Sequence, residues 1–175
     1  MLVQSREEED SLKVLKKLIR LLFLDEGAIE VAVGRSNVIW LVGEFLDQLE
    51  DVAPDILRLL ASGFGEEETT TKIQILNFAI KLSLKMTEDE NVQSLATYVL
   101  EMARYDTDTD LRDRSRFMTA MMGLAPSNEA NESAEVDEDS LAELAEHASG
   151  ILLAKKSPPV FTMNQVSVEG MPTFT

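Results

Sequence analysis

The 175-residue chain contains no cysteine, one histidine (His147) and one tryptophan (Trp40). Without cysteine there are no disulfides, thiolate metal sites or cysteine nucleophiles, which agrees with a reducing compartment. A single histidine gives a triad, dyad or metal cluster almost nothing to build on, and His147, beside Glu143 and Glu146, reads as a surface histidine. Long apolar runs are missing too. The longest, Leu18 to Leu24, has Arg20 inside it and falls well short of the roughly 20 residues that cross a bilayer. Met1 to Asp10 is acidic and polar, the opposite of the basic start of a secretory leader. Positive charge is scarce, with 16 Lys and Arg against 32 Asp and Glu, and the net charge of −16 argues against non-specific attachment to nucleic acid or anionic lipid. Together these absences lead us to expect a soluble, cytoplasmic protein with neither catalytic machinery nor cofactor.

Loops that would hold phosphate or metal are also absent from the pattern. Gly63-Phe64-Gly65 lacks a third glycine and a following lysine, and acids stand where a phosphate would lie, so it reads as a helix stop. Asp106, Asp108 and Asp110 alternate like the opening of a calcium loop but lack its central glycine, and helix capping is the expected role. Asn131-Glu132-Ser133 fits a glycosylation triplet that, without a leader, has no route to the enzymes that modify it. Leu21-Leu22-Phe23-Leu24-Asp25 has the form of a clathrin-box peptide, and Asp55 with Leu59-Leu60 that of an acidic dileucine signal. Both forms are read as extended peptides. Here each falls within an expected helix, so core leucines are the reading.

What the chain does have is helical periodicity. Leu12, Leu15, Leu18, Ile19 and Leu22 line one face of a first helix while Lys13, Lys16, Lys17 and Arg20 stay wet, with Gly27 as its stop. Ser36 and Asn37 precede a broad stripe from Val38 to Leu49, expected to be the most buried helix and fixed in place by Trp40, Phe45 and Leu46. Pro54 suits the first turn of a third helix over Ile56 to Ser62. Thr71 with Gln74, Thr87 with Glu90 and Ser140 with Glu143 have the spacing of capping boxes, and each precedes an apolar stripe. Asp106 to Asp110 read as a turn before a helix through Leu111, Phe117, Met118, Met121 and Met122. The methionines Met102, Met118, Met121 and Met122 fit either an adaptable interface or flexible core filling. The expected class is all-α, an α-solenoid of stacked antiparallel helix pairs of the armadillo or HEAT kind. Residues 1–124, with 23 acids and 14 bases, form the repeats; 125–139 is an acidic flexible linker, 140–156 a final helix, and 157–175 an extended or disordered tail.

Four segments resemble the β subunits, or β-adaptins, of the heterotetrameric clathrin adaptor complexes. They are Gly34-Arg35-Ser36-Asn37-Val38-Ile39-Trp40-Leu41-Val42-Gly43-Glu44, Ala53-Pro54-Asp55-Ile56-Leu57-Arg58, Lys72-Ile73-Gln74-Ile75-Leu76-Asn77, and Asp110-Leu111-Arg112-Asp113-Arg114-Ser115-Arg116-Phe117. Tyr98-Val99-Leu100, Arg104-Tyr105-Asp106 and Leu152-Leu153-Ala154-Lys155-Lys156-Ser157-Pro158-Pro159 look most like the type-three adaptor, which serves endosomal and lysosomal sorting. Family chains are far longer, so the resemblance covers only the C-terminal repeats of the helical trunk. Gly34 stands where a small helix former is expected, and Ala125 to Asp139 looks like an insertion. The resemblance implies a scaffold that packs against the medium subunit and the second large subunit, reaching Golgi and endosomal membranes only through the complex, and clathrin only through parts of the chain not present here. Trp40, Gly43, Glu44, Arg112, Asp113 and Arg114 are the signature residues: Gly43 is expected to let a helix approach closely, and Arg112, Asp113 and Arg114 to form a salt-bridged turn. The competing reading, a stand-alone armadillo-like module that captures peptides, needs a ladder of exposed Asn and Trp, of which only Trp40 and Asn77 are available.

Overall fold

A computed structural model describes residues 8–24, 29–124 and 138–154. Among these, seven α-helices follow one another with no strand: α1 (Glu8–Leu22), α2 (Ala32–Glu44), α3 (Ala53–Ser62), α4 (Thr69–Lys85), α5 (Glu90–Arg104), α6 (Thr109–Met121) and α7 (Glu138–Leu152). The fold is the all-α solenoid that the periodicity predicts. Residues 125–137 and 155–175, and with them most of the expected linker and the whole expected tail, lie outside the described residues, as does Gly27.

The helix at the centre is α4, not α2. It carries nine buried residues against five on α2, and it touches α2, α3, α5, α6 and α7. Phe78, Ile75, Leu76, Ile80 and Leu82 from α4 meet Ile39 and Val42 of α2, Leu57 of α3, Val92 and Val99 of α5 and Leu111 of α6 in one continuous apolar core. The apolar stripe of α2 is wide because its outer face is apolar as well: Trp40 is 46% exposed and Val33 lies open one face-repeat earlier. Trp40 therefore does not fix the packing, whereas Leu46, in a short 3₁₀ turn after the helix, is buried and does.

Local chemistry places several helix ends up to four residues from where spacing alone puts them. Helix α4 begins at Thr69, so Thr71 sits in its first turn, buried, and its hydroxyl donates to the Ala32 carbonyl of α2 at 3.3 Å in place of a cap. Helix α5 is capped by Asp89, whose carboxylate accepts from the amides of Asn91 (2.9 Å) and Val92 (3.3 Å), which leaves Thr87 outside the helix. Asp is as good a cap as Thr and stands closer to the first helical residue. Helix α7 starts at Glu138, so Ser140 falls inside it, and it ends at Leu152. The turn before α6 behaves as expected, with Asp108 accepting from the Leu111 amide at 3.0 Å. Pro54 lies in the first turn of α3, and Gly63 closes that helix.

Among the described residues, one glycine is conformationally required. At the end of α6, Gly123 has φ 65°, its amide donates to Ala120, and the next amide, of Leu124, donates back to Thr119, both at 3.0 Å. This paired closure satisfies two carbonyls that would otherwise be unpaired and needs the left-handed conformation that glycine adopts cheaply.

Candidate interaction surface

The signature segments fall on the core helices. Gly34–Glu44 is most of α2, Ala53–Arg58 opens α3, Lys72–Asn77 lies in α4, and Asp110–Phe117 spans most of α6. Most of their aliphatic members pack inward, and Arg35, Glu44 and Lys72 among their polar members tie separate elements together.

Four cations make the long-range ties, Arg35 and Lys72 from the signature segments and Lys81 and Lys85 from the rest of α4. Arg35, on α2, donates from Nε to both oxygens of Glu67 at 3.0 Å and from Nη1 to the carbonyls of Leu22 (3.1 Å) and Ile29 (3.4 Å). It thereby fastens the end of α1, the α1–α2 connection and the turn before α4 at once. Lys72, on α4, bonds Asp106 at 2.7 Å, with both side chains only about a tenth exposed, and its ammonium lies 5.8 Å from the centre of the Phe64 ring. Burial works to raise the Asp106 carboxyl, yet the Asp108 amide, the Lys72 ammonium and the Thr107 hydroxyl outweigh it and hold the group below its ordinary value. One turn apart on α4, Lys81 pairs with Glu44, and Lys85 pairs with Asp47 and, at 3.0 Å, with Glu50. Burial works to lower the Lys85 ammonium, but its two carboxylate partners carry it above the usual lysine value. None of these long-range pairs has a signal in the sequence: Arg35 and Glu67 stand 32 residues apart with nothing local to link them.

The expected roles of the other signature residues are partly corrected. Arg112, Asp113 and Arg114 are on a helix, not in a turn, and do not pair with one another. Arg112 donates to the carbonyls of Asp106 (2.8 Å) and Thr107 (2.9 Å), Arg114 pairs with Asp110, and Asp113 with Arg116. Their work is to brace α6 and the turn before it. Gly43 does not permit an unusually close approach: a Cβ there would stand 3.7 Å from Lys81 Cδ and 4.0 Å from Phe78 Cδ2, ordinary contact distances. The glycine that does matter is Gly34, where a Cβ would meet Ile29 Cγ2 at 2.7 Å, which explains why a small helix former is not found there.

Asp106, Asp108 and Asp110 are spent on Lys72, the α6 cap and Arg114 in turn. His147 is exposed. In the two leucine motifs, Leu22 and Leu60 are buried as expected, but α1 stops at Leu22, so Phe23 and Leu24 are exposed beyond it, and Leu59 is half-exposed on the outside of α3. The methionines divide, with Met121 buried, Met118 and Met122 partly buried, and Met102 exposed. Phe117, expected in the stripe of α6, is 59% exposed.

What remains is a set of uncovered large side chains: Val33 and Trp40 on α2, Tyr98 and Met102 on α5 with Tyr105 just after it, and Phe117 on α6. Tyr98, Met102 and Tyr105 recur at helical spacing and so share a face. Rigid aromatic side chains of this kind are the usual anchors of protein interfaces.

The adaptin N-terminal region, as a family model, matches residues 1–126 of the chain. Among curated relatives, the mouse (Mus musculus) AP-3 complex subunit beta-2 is 32% identical over 173 residues, covering 91% of this chain and 15% of that protein. The Arabidopsis thaliana AP3-complex subunit beta-A is 34% identical over 166 residues, covering 90% and 17%. The fission yeast (Schizosaccharomyces pombe) AP-3 complex subunit beta is 31% identical over 111 residues, covering 58% and 15%. The chain thus spans about a sixth of the length of these relatives.

Proposed function

Because the chain belongs to the adaptin family, we propose that it is a scaffold segment of a β-type, AP-3-like adaptor subunit, and that it works by burying helix-stack surface against other subunits of a vesicle coat. Its partners are the medium subunit and the second large subunit. Its setting is the cytoplasmic face of Golgi and endosomal membranes, reached through the complex, and the traffic it serves runs towards lysosome-like compartments. It performs no catalysis. The observation that carries this reading is the division within the signature segments, whose aliphatic residues together with Arg35, Glu44 and Lys72 hold the stack together while Trp40 and Phe117 face outward.

The test is co-expression of the chain with medium and large adaptor subunits from one source, followed by affinity capture. Stoichiometric recovery of a medium subunit is the expected result, and Trp40→Ala, which removes an exposed side chain, weakens that recovery while leaving the helical circular dichroism unchanged. A chain that remains a monomer and ignores every adaptor subunit refutes the proposal.

A further inference from the structure

The structure releases one hydroxyl that spacing assigns to a cap. With Asp89 capping α5, Thr87 stands exposed in the four-residue turn between α4 and α5, and its hydroxyl enters no hydrogen bond among the described residues. The residues that follow it are Glu88, Asp89 and Glu90, so three successive carboxylates lie immediately C-terminal to a free hydroxyl. We propose that Thr87 is a phosphate-acceptor site for an acidophilic protein kinase, a class of enzyme whose basic substrate cleft reads acids just after the acceptor.

The reaction needs only a nucleoside triphosphate. The Thr87 hydroxyl oxygen attacks the γ-phosphorus, the bond from that phosphorus to the β,γ-bridging oxygen breaks, the nucleoside diphosphate leaves, and the hydroxyl proton passes to the kinase's base. The bonds that hold the turn run through its two ends: the Met86 amide donates to Leu82 at 2.9 Å, the Asp89 amide and the Gln93 side chain donate to the Met86 carbonyl at 3.2 and 3.0 Å, and the Gln93 amide donates to Asp89 at 3.0 Å, so Thr87 and Glu88 between them stand outside the hydrogen bonding of the described residues. Thr107 provides an internal comparison. Asp108 and Asp110 follow it, but its hydroxyl is turned to Asp106 and its carbonyl is held by Arg112, within the turn that contains the buried Lys72–Asp106 pair. With two following acids in place of three and an engaged hydroxyl, Thr107 is the poorer acceptor. Thr87 lines the same shallow cleft as Lys85, the cation that ties α4 to Asp47 and Glu50, so a phosphate on Thr87 adds charge near one of the links between helices.

The site is independent of subunit assembly, and the capture experiment above bears on neither its support nor its failure. The test incubates the whole chain with purified casein kinase 2 and magnesium ATP and maps phosphate by fragment-ion mass spectrometry. The expected result is phosphate on Thr87, its complete loss at that position in Thr87→Val, and an initial rate roughly fivefold lower in Glu90→Gln, the effect of one charge at the edge of a recognition site. Because Thr87 is exposed and unbonded, Thr87→Val keeps the helical circular dichroism, which is recorded alongside. Phosphate on Thr107 or elsewhere with none on Thr87 overturns the proposal. So does a folded chain that leaves Thr87 unmodified while a free peptide of residues 80–95 is modified, since the folded turn then withholds the acceptor.

Discussion

Replacing Lys72 by Met tests whether the buried pair between α4 and the α5–α6 turn is integral to the stack. The substitution keeps most of the aliphatic stem that packs near Phe64 and removes the ammonium, so Asp106 is left about a tenth exposed with no cation bonded to its carboxylate. Stranding one member of a fully buried pair costs about 3–5 kcal/mol. Here the Asp108 amide and Thr107 hydroxyl still bond the carboxylate, at 3.0 and 3.4 Å, so the expected loss is about 2–3 kcal/mol. Asp106→Asn keeps an acceptor for the Asp108 amide and removes the charge. The double variant is therefore more stable than the two single losses summed, by about 1.5 kcal/mol or more. Urea unfolding followed by far-ultraviolet circular dichroism supplies the three values. The pH dependence gives a second reading of the same pair. Asp106 is held below its ordinary value, so its contribution is complete above about pH 4 and is lost as pH falls through the depressed folded-state value. In Lys72→Met the carboxyl rises, and protonation removes the stranded charge, so the gap between variant and parent narrows as the solution is acidified. A cycle additive within about 0.5 kcal/mol, or a gap that ignores pH, refutes the reasoning.

Three further outcomes follow from local geometry. Asp89→Ala removes the α5 cap and lowers unfolding stability by about 1 kcal/mol, whereas Thr87→Ala leaves it unchanged within about 0.5 kcal/mol; the opposite order in urea titrations would restore the capping box. Gly43→Ala raises the thermal midpoint, because the new methyl meets its neighbours at ordinary contact and alanine gains up to about 1 kcal/mol in a helix, whereas Gly34→Ala forfeits that gain against Ile29. Gly123→Ala lowers the midpoint, the cost of forcing a side chain into the left-handed closure of α6 being about 1 kcal/mol.

The helices themselves were legible because burial leaves a period. Leu15, Leu22, Ile75, Leu76, Val92, Val99 and Leu111 are apolar at helical spacing and all are buried. Periodicity, however, records which side chains are apolar and not whether a neighbour covers them. Trp40 and Phe117 were therefore read as core, and the structure leaves both uncovered. The capping boxes misled for a related reason: a hydroxyl three residues before Gln or Glu is a local pattern that loses to a better local acceptor, as Asp89 shows, or to a distant one, as Thr71 shows in bonding Ala32 across 39 residues. The ion pairs made by Arg35, Lys72, Lys81 and Lys85 connect residues at least 32 apart, and charge pairs at that separation follow from the fold alone.

The position of α4 bears on how the stack holds together. In an ideal solenoid each repeat meets only its neighbours, and stability is a sum of local terms. Here α4 touches α2, α3, α5, α6 and α7, and its Lys72, Lys81 and Lys85 hold acids that come before and after it in the chain. Five of the six other described helices are coupled through this one element, so loss of packing at Phe78 or Leu76 weakens both sides together instead of fraying one end. The assembly proposed above, with Trp40 on α2 and Phe117 on α6 as its exposed side chains, would gain from this coupling, because both helices are held in register through α4.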